Sequence, residues 1–390
     1  MRPRTILYTG KGGVGKTSVA ASTARGCAAA GLRTLIVSTD PAHSLSESLS
    51  AELGAEPVQA GDRLWGQEVK AQEEMERHWS GVQDWLAELL QERGVDRISA
   101  QELTVPPGMD ELFALLRLQA HHDSGEWDAI VVDCAPTGET LRLLSFPDVA
   151  RWWIDKVFPM ERQILAAARP IARSLLDISL PSSAAFADIA RLSQNLIAMN
   201  EILRDRARCT VRLVMNPEKM VIGEAMRTFT YLNLYGYLTD AVIVNRLFPV
   251  GVGDYFAAWR RVQEEHLELV RSAFAPVPVL CAPYFEQEVI GPGMLDRLGS
   301  ELFGDLDPAA VLHDAITQAL TVSPDGAELR LTLPFTKKGD ISLKQIGPEL
   351  IVSVGGQRRT IMLPPAMAAM HPSAATFEDG TLEIRFDGTA

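Results

Sequence analysis

Thr9-Gly10-Lys11-Gly12-Gly13-Val14-Gly15-Lys16-Thr17-Ser18 decides how the rest of the chain is read. From Gly10 to Thr17 it carries the Gly-x-x-x-x-Gly-Lys-Thr pattern of a phosphate loop. The flanks supply the setting that gives such a pattern meaning: Thr5-Ile6-Leu7-Tyr8 reads as a short buried strand, and Ser18 to Ala24 as the start of a helix. Gly10, Gly12, Gly13 and Gly15, with Val14 among them, let the backbone wrap an anion with its N–H groups pointing inward. The N-terminus of the helix entered at Ser18 adds positive potential. Lys16 reaches the outer phosphates of a nucleotide, and the Thr17 hydroxyl sits on Mg²⁺.

Two more strand ends bear on the same chemistry. Arg33 to Asp40 is a β run that delivers Asp40-Pro41-Ala42-His43-Ser44 to its C-terminal end, where ligands sit in open parallel sheets. Asp40 is read as the acid that orients or deprotonates the attacking water, against the simpler reading of a turn or N-cap acid. Trp127 to Asp133 is an apolar run ending in aspartate. Asp133 is expected in the Mg²⁺ shell, through water, and the residues after it have the composition of a switch loop that responds to a γ-phosphate.

The remaining chain sets limits. A chain of 390 residues, 47% hydrophobic and 22% charged, has room for two or three domains and a sizeable core. A net charge of −13 argues against nucleic acid or an anionic membrane surface as partner. No apolar run is long enough to span a bilayer. The first strand begins too early to leave room for a signal peptide, so a cytoplasmic location is expected. Cys27, Cys134, Cys209 and Cys281 are far apart in sequence and read as small buried hydrophobes of a reducing compartment.

Residues from about 60 to 125 and from about 149 to 207 are expected to be helical insertions. Trp79, Val82, Trp85, Leu86, Leu89 and Leu90 recur at helical spacing, as do Leu112, Leu115, Leu116 and Leu118. Val149, Trp152, Trp153, Val157, Met160, Ile164 and Leu165 form a broader stripe, which reads as an ordinary helical layer over the sheet, or as the client groove that the family resemblance given below implies. Further strands are expected in Cys209–Met220, which runs from strand into turn, and at Asp240–Arg246 and Pro278–Phe285. Beyond Ser323-Pro324-Asp325-Gly326 the pattern turns to short β runs with turns at Gly355-Gly356 and Asp379-Gly380, which is the pattern of a small β-sandwich.

Lys11 stands directly after the first glycine, and a Lys-Gly-Gly-Val-Gly-Lys-Thr loop resembles the deviant phosphate-loop ATPases. Asp133-Cys134-Ala135-Pro136-Thr137-Gly138-Glu139-Thr140-Leu141-Arg142 is similar to the switch II signature of the arsenite-pump and tail-anchored-protein-targeting ATPase family, and Asp40 to Ser44 to its switch I. The chain departs from that signature at Cys134 and Glu139, which puts the sensing details in question more than hydrolysis. Residues 1–322 would form the ATPase domain, a doubly wound, mostly parallel α/β sheet with helical insertions. Residues 323–390 resemble a small-heat-shock (α-crystallin) domain through Leu333-Pro334, Leu363-Pro364 and the run from Phe377 to Ile384.

This resemblance implies a Mg²⁺-dependent ATPase that turns ATP into ADP and phosphate. It implies catalytic roles for Asp40, for Lys16 in cis and for Lys11 across a homodimer, and a nucleotide site made of Gly10 to Ser18 with Asn245 reading adenine and Pro283 on the other side of the base. Glu218 is read either as a contact to the partner's nucleotide or as an acid at a helix start. The Cys-x-x-Cys of zinc-binding relatives is replaced by Phe248 to Tyr255, so no zinc is expected. A single phosphate loop implies a homodimer. Three functions stay in view: targeting or holding of hydrophobic membrane-protein clients, energising an arsenite or anion efflux partner in a membrane, and a nucleotide-gated binding module with little hydrolysis.

Overall fold

β1 (Arg4–Thr9) is the strand about which the larger sheet is built. The computed structural model describes residues 2–40, 44–70, 109–134, 183–315, 318–323, 326–347, 349–363, 367 and 370–387. After β1 come α1 (Lys16–Ala29), β2 (Thr34–Ser38), α2 (Ser44–Leu49), β3 (Val58–Gly61) and β4 (Leu64–Glu68). Then follow α3 (Met109–Ser124), β5 (Ala129–Asp133), α4 (Ser183–Arg204), β6 (Cys209–Met215), α5 (Lys219–Tyr235) and β7 (Thr239–Leu247). α6 (Ala257–Phe274), β8 (Val279–Pro283) and α7 (Gly291–Phe303) complete this part of the chain.

The eight strands are ordered β3-β4-β2-β5-β1-β6-β7-β8, and every pairing is parallel except β3 with β4. β1, β2, β5 and β6 are almost wholly buried, because a parallel sheet covered on both faces needs apolar side chains on both. Chain order runs outward from β1 to one side through β2 and to the other through β6, so the carboxyl edge beside β1 is the topological switch point. The expected doubly wound α/β architecture is therefore present.

One expectation is corrected here. Residues from about 60 do not start as helix: β3 and β4 form an antiparallel hairpin, and Arg63 takes φ 51 in its turn. β4 buries Leu64, Gly66, Gln67 and Glu68 against β2. Pairing with a strand already in place overrides the weak β-propensity of Gly66, Gln67 and Glu68. The expected helical stripes at 79–90 and 149–165, and the side chains of Leu112 and Leu115, lie outside the described residues.

The chain divides into two units, residues 1–68, 125–141 and 203–390 in one and residues 69–124 and 142–202 in the other. The second contains α3 and most of α4, and buries Leu116, Leu118, Leu196 and Met199. In the first, a polar network lies under the sheet. Arg212, 0% exposed, donates to Asp240 Oδ1 at 3.2 Å, to Tyr8 Oη at 3.1 Å and to the Ala310 carbonyl at 3.0 Å. Arg4 donates to the other Asp240 oxygen and to the Ala309 carbonyl. The stretch leaving α7 is thus held to β1, β6 and β7.

Seven strands follow: β9 (Gln318–Ser323), β10 (Gly326–Thr332), β11 (Ile341–Ile346), β12 (Glu349–Val354), β13 (Gln357–Met362), β14 (His371–Glu378) and β15 (Thr381–Asp387). They form a four-stranded sheet, β14-β15-β10-β9, and a three-stranded sheet, β11-β12-β13, all antiparallel. Leu329, Leu331, Leu350, Val352, Leu382, Ile384 and Phe386 fill the space between them. This is the expected small β-sandwich; β9 and β14 were not among the expected strands, and β9 starts before residue 323. Leu234 of α5 belongs to the same core, and Tyr235 Oη donates to Gln357 Oε1 at 3.0 Å. Arg359 donates to the Leu234 carbonyl and Thr230 to that of Pro334.

Candidate active site

Gly10 to Gly15 connects β1 to α1 at the switch point, and its geometry explains its composition. Gly13 and Gly15 take φ +82 and +91, a region that favours glycine. A Cβ on Gly10 would overlap the Val214 carbonyl oxygen, and one on Gly15 would overlap Asn245 Nδ2. α1 starts without a side-chain cap, so its first N–H groups stay available to an anion.

Lys16 is only 5% exposed and donates to the Lys11 carbonyl at 3.4 Å, folded across the loop it serves. Lys11 is different. Its side chain is 43% exposed, and its ammonium lies 3.8 Å from Glu224 on α5. The loop therefore carries one buried lysine turned inward and one half-exposed lysine paired with α5.

Thr17 Oγ1 donates to Asp133 Oδ2 at 2.7 Å and lies 3.2 Å from Ser44 Oγ. Asp133 ends β5 and is fully buried. Burial lifts its carboxyl to about 7; the Thr17 hydrogen bond and the Lys16 charge pull it down, and Asp40 pushes it up. Among the described residues its buried Oδ1 has no hydrogen-bond partner. A hydroxyl and a carboxylate side by side, one oxygen unspent, fit a hard divalent cation that also takes phosphate oxygens and water. Asp40 lies just beyond β2, whose Ser38 pairs with Asp133, so the structure brings Asp40, Asp133, Lys16 and Thr17 to one edge. The Asp40 N–H donates to Ser38 Oγ at 3.3 Å.

Farther along that edge lies a cleft of about 640 Å³, lined by Gly15, Ser18, Asn245, Arg246, Pro283 and Tyr284 among others. Asn245 and Pro283, expected on two sides of a base, meet there. The Asn245 amide donates to the Val14 carbonyl at 2.9 Å and accepts the Arg246 N–H at 2.9 Å. Each end of the amide keeps one further hydrogen-bonding position for a ligand. Glu218 does not line this cleft. It is the exposed N-cap residue of α5 and makes no side-chain cap bond.

Two residues escaped the reading of the sequence. Arg246 takes φ 63, unusual for a residue with a Cβ, and its guanidinium donates to the Gly13 carbonyl at 3.0 Å, bracing the loop from the base side. Its position directly after Asn245 was the available signal. Glu224 gave none, because only the placement of α5 brings it to Lys11. The switch loop from Ala135 to Arg142, with Glu139, and residues Pro41 to His43 lie outside the described residues.

Burial pushes the Cys27 and Cys209 thiols up to about 12, and also raises Cys134 and Cys281. Burial of Cys27, Cys134 and Cys209 thus disfavours the thiolate, which is the reactive form.

Residues 3–304 match the family described as Anion-transporting ATPase, and residues 324–386 match the family described as HSP20-like domain found in ArsA. The chain is 39% identical over 391 residues to a putative arsenical pump-driving ATPase of Chlorobaculum tepidum, covering 98% of this chain and 96% of the relative. It is 34% identical to the putative arsenical pump-driving ATPase 1 of Aquifex aeolicus, covering 98% and 99%. It is 32% identical to the ATPase GET3B of Arabidopsis thaliana, over 75% of this chain and 77% of the relative.

Proposed function

The chain belongs to the Anion-transporting ATPase family and is an ATP hydrolase, and from that premise we propose that it works as a nucleotide-switched homodimer that binds or targets hydrophobic membrane-protein clients. The observation that carries the homodimer is the opposite disposition of the two loop lysines. Lys16 is buried within its own loop, whereas Lys11 is half-exposed and pairs outside the loop with Glu224 of α5. A cation so placed serves a phosphate that arrives from outside, which a second copy bearing its own nucleotide supplies.

In the proposed site the N–H groups of Gly10 to Ser18 bind the phosphates, with Arg246 bracing the loop. Asn245 and Pro283 hold the adenine. Thr17 and Asp133 would hold Mg²⁺, Asp133 through water, and the ion would supply positive charge against the phosphates. Asp40 positions the attacking water and takes its proton. Lys16 in cis and Lys11 from the partner stabilise the charge that develops on the transferring phosphoryl group. Glu218 is proposed to contact the partner's nucleotide from the start of α5. We place the division between the ATPase and β domains between Leu312 and Gln318. Among the described residues no helix is long and apolar enough to cross a membrane, and a cytoplasmic location is proposed.

A second reading is the energising subunit of an arsenite or anion efflux system. Two relatives named as putative arsenical pump-driving ATPases favour it. The burial and raised titration of the thiols count against arsenite binding by this chain itself. The test is ATP hydrolysis by the purified chain with either an apolar helical peptide in detergent or arsenite. Stimulation by the peptide alone supports client binding. Stimulation by arsenite alone overturns it in favour of efflux.

A further inference from the structure

The two sheets of the C-terminal sandwich have four edges, and three are protected. β14 carries Pro372 and a register shift between Pro372 and Ala374. β11 carries Lys344. β13 is bonded by α5 through Tyr235 and Gln357. Proline, bulges, lysine and a covering helix are the means by which proteins blunt strand edges. The fourth edge, β9, reads Gln318-Ala319-Leu320-Thr321-Val322-Ser323, with neither charge nor proline nor glycine.

Two side chains of β9 are also exposed where the register would bury them. Register sets Leu320 beside Leu329 and Val322 beside Ala327, and both neighbours lie in the sandwich core. Cross-strand neighbours share a face, so Leu320 and Val322 are on the core-facing side. Yet Leu320 is 38% and Val322 50% exposed. The facing sheet has three strands against four.

We propose that β9 is a strand-pairing edge and that its occupant is β9 of a second copy, antiparallel. A two-fold axis keeps both core faces on the same side only if residues of like parity oppose one another. The centred register then sets Thr321 opposite Thr321, Leu320 opposite Val322 and Ala319 opposite Ser323. Four apolar side chains meet on the inner side, the two Thr321 side chains on the outer, and no like charges face each other. The pairing joins two four-stranded sheets into one. It does not rest on the ATPase dimer; on a chain already paired there, a second two-fold closes a tetramer or opens a chain.

The test uses the full-length chain bearing Thr321→Cys and a short bis-maleimide reagent. Rapid linking of two copies through position 321 is expected, with little linking for wild type or for Thr376→Cys on the protected β14 edge. Thr321→Lys opposes two like charges, and is expected to halve the mass in sedimentation while leaving ATP hydrolysis unchanged. An unchanged mass for Thr321→Lys, equal linking at Thr376→Cys, or linking of Thr321→Cys only to an added unfolded protein overturns the proposal.

Discussion

Gly15 is where the phosphate loop, the base cleft and α1 meet, and it tolerates no side chain. Its φ of +91 and the nearness of Asn245 Nδ2 both oppose a Cβ. Gly15→Ala is expected to cost ~1–3 kcal/mol in strain and to weaken nucleotide binding about tenfold or more, since ~1.4 kcal/mol is a factor of ten. Titration with a fluorescent ATP analogue checks it. Asp133 makes a second residue-level prediction. Its folded carboxyl titrates at about 7, against about 3.9 when unfolded. A raised folded value favours the protonated form, so this contribution to stability is full below about pH 4 and is lost as pH rises to about 7. In metal- and nucleotide-free protein, Asp133→Asn is therefore expected to gain stability relative to wild type across that window, by up to a few kcal/mol, and to level off above it. Denaturant melts at several pH values check this; a difference independent of pH contradicts it. The loop residues and Asp133 were legible because their chemistry fixes their spacing. Arg246 was not, because its role depends on a backbone conformation that residue type does not announce.

At the scale of elements, α5 bears the most consequence. It starts beside β6, offers Glu224 to Lys11, and ends with Leu234 in the sandwich core. Leu234→Ala is expected to cost ~2–5 kcal/mol, the usual range for a leucine removed from a packed core, and to loosen the sandwich before the ATPase sheet. Hydrogen exchange along β12 and β13, compared with β1 and β5, checks the order of loss. The parallel strands were readable as continuous apolar runs, and the β domain as short runs between turns. The β3–β4 hairpin was not, because Gly66-Gln67-Glu68 lacks strand residues and is held by its partner β2. β14 was hidden for a related reason: Pro372, Ser373, Ala374 and Ala375 are exposed and carry no alternation.

At the scale of the whole molecule, the buried Asp240 joins distant parts of the chain. It accepts from Arg4 near the N-terminus, from Arg212 in β6 and from the Leu312 N–H before the β domain. Asp240→Asn keeps the shape and removes the charge opposite two arginines. Breaking such a buried pair is expected to cost ~3–5 kcal/mol, read as a fall in the denaturant midpoint. None of this network was legible in the sequence, since its members lie 28, 72 and 236 residues from Asp240 and only the sheet order brings them together. That strands of a β-sandwich follow the ATPase sheet was legible in the change of periodicity, but where they begin was not, since β9 starts at Gln318, before residue 323. The central claim, a lysine that acts across a homodimer, is tested most directly by mixing two variants. Lys11→Ala lacks the lysine it would lend, and Lys16→Ala lacks a working site of its own, so each alone is expected to lose on the order of 100-fold or more in ATP hydrolysis. In a mixed dimer, the intact site of the Lys11→Ala chain receives Lys11 from the Lys16→Ala chain. Recovery of hydrolysis well above the sum of the two separate rates is the predicted result. A mixture no more active than that sum, with mixed dimers verified by mass, would contradict the account.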